Sequence, residues 1–127
     1  LRDAVAKLKE SGITVSLFID PDVVQVGRAK AVGADIVEIH PGIFAEATDP
    51  DEIQREYGKV RVAAIAATEL GREAHGGHGL TYRNVQARAE IGEIVEVSIG
   101  HSIVSRAVLV GMDLAVREMA ALLEVPE

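Results

Sequence analysis

Apolar residues at Leu1, Ala4, Val5 and Leu8 recur at helical spacing, so residues 1–11 read as a helix. Gly12 stops it. Residues 13–19 are rich in β-branched side chains and read as a strand. Asp20-Pro21 then fits a helix start, with Asp20 as the cap and Pro21 at the first helical position. That helix runs to about Val32 and ends at Gly33, and a second strand spans 34–40. Pro41-Gly42 marks a turn, and 43–48 read as a loop with room for a short helix. Asp49-Pro50-Asp51-Glu52 has the form of a capping box. The long helix it opens carries Ile53, Tyr57, Val60, Ala64, Ile65 and Thr68 along one face, and Glu52, Arg55 and Glu56 on a charged one. Beyond Gly71, a short strand over 73–75 enters a glycine-rich turn, and Thr81 caps a helix over 82–91 that Gly92 closes. A fourth strand spans 94–99, and a last helix runs over 102–123.

Strands that alternate with helices in this way pair in parallel through right-handed crossovers. Four parallel strands leave two open edges, whereas a closed barrel of this kind needs eight. The chain also begins Leu1-Arg2-Asp3-Ala4, inside a helical pattern and without Met. The expectation is an α/β fold, a (β/α)8 TIM barrel, of which residues 1–127 supply the last four βα units. No linker or low-complexity tract divides them, so they form a single segment, the C-terminal half of the barrel.

Composition narrows the function. Hydrophobic residues make up 48% of the chain but aromatics only 3%, so the core must come from Ala, Val, Ile and Leu. The net charge of −7 argues against a nucleic-acid-binding surface and against a basic membrane patch. A phosphate could still be held locally by a helix N-terminus. There is no Cys, which removes thiolate chemistry and disulfides. No stretch reads as a signal peptide or membrane span, so a cytoplasmic protein is expected.

The histidines are sorted. His40, His75, His78 and His101 all sit at or just past the end of a predicted strand, the side where ligands bind in parallel α/β folds. His78 stands in Gly76-Gly77-His78-Gly79, where glycine lets backbone approach a ligand and imidazole suits proton transfer near neutral pH. Gly100-His101 follows the final strand and precedes the final helix, where barrels often bind phosphate. Glu38, between Val37 and Ile39, is a strand-end carboxylate that needs a partner or a task. His40 shares its side of the strand by periodicity. Asp20 is a helix cap, and Arg106 and Arg117 are ion-paired or solvated. A metal site built from His40, His75 and His78 is the competing reading, as in a metal-dependent barrel hydrolase. A non-catalytic, phosphate-binding half-barrel is the third.

Four strings taken together resemble one family. They are Val15-Ser16-Leu17-Phe18-Ile19-Asp20, Val37-Glu38-Ile39-His40-Pro41-Gly42, Gly77-His78-Gly79-Leu80-Thr81-Tyr82 and Ile99-Gly100-His101-Ser102-Ile103. The family is the pyridoxine 5′-phosphate synthases of deoxyxylulose-dependent vitamin B6 biosynthesis, and the resemblance covers their C-terminal half. It implies condensation of 3-amino-2-oxopropyl phosphate with 1-deoxy-D-xylulose 5-phosphate, releasing phosphate and water, without a metal or other cofactor. It implies His78 as proton donor and Glu38 as the carboxylate that stabilises the transition state. Gly79, Gly100 and His101 would hold the phosphorylated amine. It also implies a homo-oligomer, and a fragment inactive by itself, because the family's other acid–base residues lie in the N-terminal half. Two positions depart from the family pattern: His75-Gly76 replaces the usual Asn-Ala, and Pro41 replaces Thr. His40 and His75 are thereby reduced to neighbours of the site.

Overall fold

A computed structural model describes residues 1–41 and 49–124. Strands β1 (Ser16–Ile19), β2 (Ile36–Ile39), β3 (Glu73–Gly77) and β4 (Ile94–Ser98) pair side by side in chain order, every pair parallel. Helix α1 (Arg2–Glu10) precedes β1, and α2 (Val23–Ala31) joins β1 to β2. Helices α3 (Pro50–Glu69) and α4 (Val85–Ala89) flank β3, and α5 (His101–Val110) and α6 (Met112–Leu123) follow β4. The predicted loop over 43–48 lies outside the described residues.

One face of the sheet makes the core. Val37 and Ile39 are fully buried against Val26 and Ala29 of α2 and Val60, Ala63, Ala64 and Ala67 of α3. The alanine run on α3 lets its backbone approach the strands closely, as the scarcity of aromatics required. The alternation of β2 turns Glu38 to the opposite face. Phe18, Glu38, His75 and Glu96 are register partners across the four strands.

Several boundaries move from the sequence reading. Asp49 does cap α3, accepting from the Glu52 amide at 3.0 Å. Asp20 does not cap α2: Asp22, in extended conformation, accepts from the Val24 amide at 2.8 Å, and the Asp20 carboxylate instead accepts from Gln25 Nε2 at 3.0 Å. Strand β3 continues through Gly76-Gly77, so the turn starts later, at His78. The helix expected over 82–91 contracts to α4, although Thr81 Oγ1 still accepts from the Arg83 amide at 3.3 Å. The last helix is two helices, because Gly111 takes φ 86° and ψ 154°, which breaks the ladder. Glu56 is not on an exposed charged face. It is 5% exposed, with both carboxylate oxygens accepting from Lys59 Nζ at 2.8 and 3.0 Å. That hydrogen bond holds its carboxyl below the usual glutamate value. Among the described residues no helix is long and apolar enough to cross a membrane.

Candidate active site

The carboxyl ends of the strands open on a cavity of about 1020 Å³. Glu38, His78, Gly79, Gly100 and His101, the five residues singled out from the sequence, all line it. They come from β2, the turn after β3, and the start of α5. Phe18, Ser98 and Leu80 complete much of the wall and were not anticipated.

Glu38 reaches the cavity because Val37 and Ile39 anchor the other face of β2. Its carboxylate lies over the backbone of Gly77: a methyl group there would stand 2.0 Å from Glu38 Oε1 and 3.0 Å from its Cδ. Gly77 is thus a strand residue whose missing side chain makes the carboxylate's seat.

His78 follows at once, with φ 74°, and among the described residues no other non-glycine residue has positive φ. For an L-residue this costs on the order of 1–2 kcal/mol. Gly79 follows with φ 71°. Two successive left-handed residues turn the chain sharply off β3 and leave the His78 ring exposed at the cavity. The turn is anchored beyond. The Thr81 amide donates to Asn84 Oδ1 at 2.7 Å, and the Tyr82 hydroxyl donates to the Ala115 carbonyl of α6 at 2.7 Å.

Gly100 occupies the N-cap of α5, and no side chain caps this end. A Cβ built on Gly100 would meet nothing within 4 Å. The first turn of a ten-residue helix therefore presents its amides and the positive end of its dipole beside open space. His101 is its first residue rather than a loop residue. Arg106 braces the helix, holding Glu118 of α6 through Nε at 2.8 Å and Nη2 at 2.9 Å. This pair holds the Glu118 carboxyl below its usual value.

The remaining histidines separate. His75 is the third residue of β3, not its end, and is 8% exposed. Its Nε2 lies 2.6 Å from Glu73 Oε1 and its Nδ1 3.8 Å from Glu96 Oε1. It does not pair with His78, and among the described residues no group of three or more His, Asp or Glu comes together to hold a metal. His40, set aside on the sequence, stands next to His78 with ring centroids 5.2 Å apart.

An imidazole, a carboxylate and an uncapped helix N-terminus at the carboxyl ends of parallel strands can move protons beside a bound anion. This is the arrangement of phosphate-handling βα-repeat enzymes. The family described as "Pyridoxal phosphate biosynthesis protein PdxJ" matches residues 1–125, and the chain belongs to it. It is 50% identical to the pyridoxine 5′-phosphate synthase of Geotalea daltonii over 124 residues, covering 98% of this chain and 52% of that protein. It is 52% identical to the enzyme of that name from Syntrophotalea carbinolica over 119 residues, covering 94% of this chain and 50% of the relative. The Geobacter sulfurreducens enzyme is 49% identical over 124 residues, with 98% and 52% covered. The chain spans about half the length of the curated relatives it matches.

Proposed function

We propose that this chain is the C-terminal half of a (β/α)8 barrel that condenses 3-amino-2-oxopropyl phosphate with 1-deoxy-D-xylulose 5-phosphate to pyridoxine 5′-phosphate, phosphate and water. The observation that carries the reading is the convergence of Glu38, His78, Gly79, Gly100 and His101 on one cavity. His78 gives a proton to a departing oxygen. Its ring is exposed to the cavity, and imidazole is the side chain best matched to proton transfer near pH 7. Glu38, fixed over Gly77, stabilises positive charge that develops on the nitrogen side of the condensing molecule. The first turn of α5, from Gly100 and His101, seats the phosphate of the amine, and Gly79 contacts the same substrate. The complementary half supplies the remaining acid–base groups and the seat of the sugar phosphate. The whole protein works as a cytoplasmic homo-oligomer.

The direct test mixes this chain with the N-terminal half of a relative and follows formation of pyridoxine 5′-phosphate. Turnover is expected from the associated halves and not from either alone. Turnover by this chain alone would contradict the half-site reading, and none from a well-formed pair would contradict the reaction. Within the assembled protein, Gly100→Val should weaken binding of the phosphorylated amine by about tenfold or more, because the new side chain fills the space before the α5 amides. The fold should tolerate it, since a Cβ at this position meets nothing within 4 Å. Calorimetric titration with the amine or an unreactive analogue measures this; unchanged affinity would move the phosphate elsewhere.

A further inference from the structure

We propose that His40 is a positioning residue for His78, braced in turn by Phe18. The proposal rests on the reading of His78 as proton donor. The rings of Phe18, His40 and His78 form one cluster across the ends of β1, β2 and β3. Phe18 stands edge-on to His40, with centroids 5.1 Å apart and planes at 89°, and edge-on to His78 at 6.3 Å and 63°. The two imidazoles lie 5.2 Å apart and 33° from parallel.

The backbone holds His40 in place. Its amide donates to the Ile19 carbonyl at 2.8 Å, extending the β1–β2 pairing one residue past the strand. Pro41 follows and is buried, and a residue before proline is driven to extended conformation. The ring consequently continues the Glu38 side of β2. His78, by contrast, is held in a left-handed turn and is largely exposed, so its backbone alone does not fix its ring. The neighbouring rings provide that fixation. His78 and Phe18 line the cavity and His40 is not among its lining residues, while its ring stands against that of His78. It therefore acts through His78.

A ring in this place packs against His78, and a phenyl ring can do so as an imidazole does. Glu38 of β2 and His101 of α5, which line the same cavity as His78, are unchanged when His40 is replaced.

The test compares His40→Ala and His40→Phe with the parent and with His78→Ala, all in the assembled protein. His40→Ala should lower kcat by about 10- to 100-fold while KM for the phosphorylated amine stays within about twofold, since only the orientation of the proton donor is lost. His40→Phe should recover most of kcat by restoring the packing. The carbon-bound proton signals of the His78 ring in NMR spectra should shift in both variants. Unchanged kcat and unchanged His78 signals in His40→Ala, beside a crippled His78→Ala, would overturn this proposal alone. A near-normal rate in His78→Ala would overturn the proton-donor reading and this proposal with it.

Discussion

In the assembled protein proposed above, His78→Ala is expected to lower kcat for ring closure by about 10²–10⁴-fold, the usual worth of a positioned general acid. KM for the phosphorylated amine should change little, since the amine's phosphate is assigned to the start of α5 and not to this ring. The substitution carries one complication. Residue 78 sits at φ 74°, where alanine is strained, so part of any loss could come from a displaced turn. His78→Asn separates the two causes, because Asn adopts left-handed backbone more readily yet donates no proton of comparable acidity. Equal losses in the two variants assign the effect to the missing imidazole. Added imidazole should then restore part of the rate in His78→Ala, where a cavity is left, and less in His78→Asn. The measurement is steady-state formation of pyridoxine 5′-phosphate across pH 6–9. Retention of most of the rate in either variant would remove His78 from the chemistry.

What the sequence disclosed about this region, and what it concealed, follows from how local each determinant is. The alternation of helices and strands was legible because glycines close the helices and β-branched runs open the strands. Asp49 was legible as a cap because Glu52 stands three residues on, in the form of a capping box. Asp20 and Asp22 both flank Pro21, and only the finished turn, in which Asp22 reaches the Val24 amide, separates them. The break at Gly111 was hidden because apolar residues continue at helical spacing through it, as Val108, Leu109, Met112 and Ala115 do. Burial of Glu56 depends on the packing of α3 in the finished fold, which no local pattern announces.

The site itself was legible in identity and less so in geometry. The five residues chosen from strand ends and glycine strings do meet at one cavity. The placement of His75 at the end of its strand was wrong, and the error traces to the reading of Gly76-Gly77 as a turn. With β3 continuing through those glycines, His75 falls mid-strand beside Glu73, and His78 comes to stand beside His40, just past the end of β2. Phe18 and Glu38 are register partners, and His40 continues the same side of β2 two residues on, so a ring just past the end of the next strand had neighbours waiting. This became visible only with the strand register.

Gly77→Ala should therefore be far more damaging to catalysis than to folding. The backbone of Gly77 is in strand conformation with no positive φ, so alanine is permitted there. What the new methyl group meets is Glu38, 2.0 Å from Oε1 and 3.0 Å from Cδ, and Ser98 Cβ at 3.1 Å. The Ser98 contact is relieved by a shift of a few tenths of an ångström, and overpacking of this size costs about 1–3 kcal/mol. The Glu38 contact is relieved differently, because a carboxylate at the end of a flexible side chain simply swings away. Stability should thus fall modestly while the charge leaves the position from which it acts. Loss of a preorganised electrostatic group typically lowers kcat by about 10²–10³-fold, and Gly77→Ala should approach the effect of Glu38→Ala. The two substitutions should then be strongly non-additive in kcat: once Glu38 is removed, alanine at 77 has no carboxylate left to displace, only the Ser98 contact, and should cost little more activity. Rates for the four proteins of that cycle, with thermal melts for each, decide the matter. Additive losses in kcat, or full activity in Gly77→Ala, would mean that the carboxylate's seat over Gly77 is not where it works.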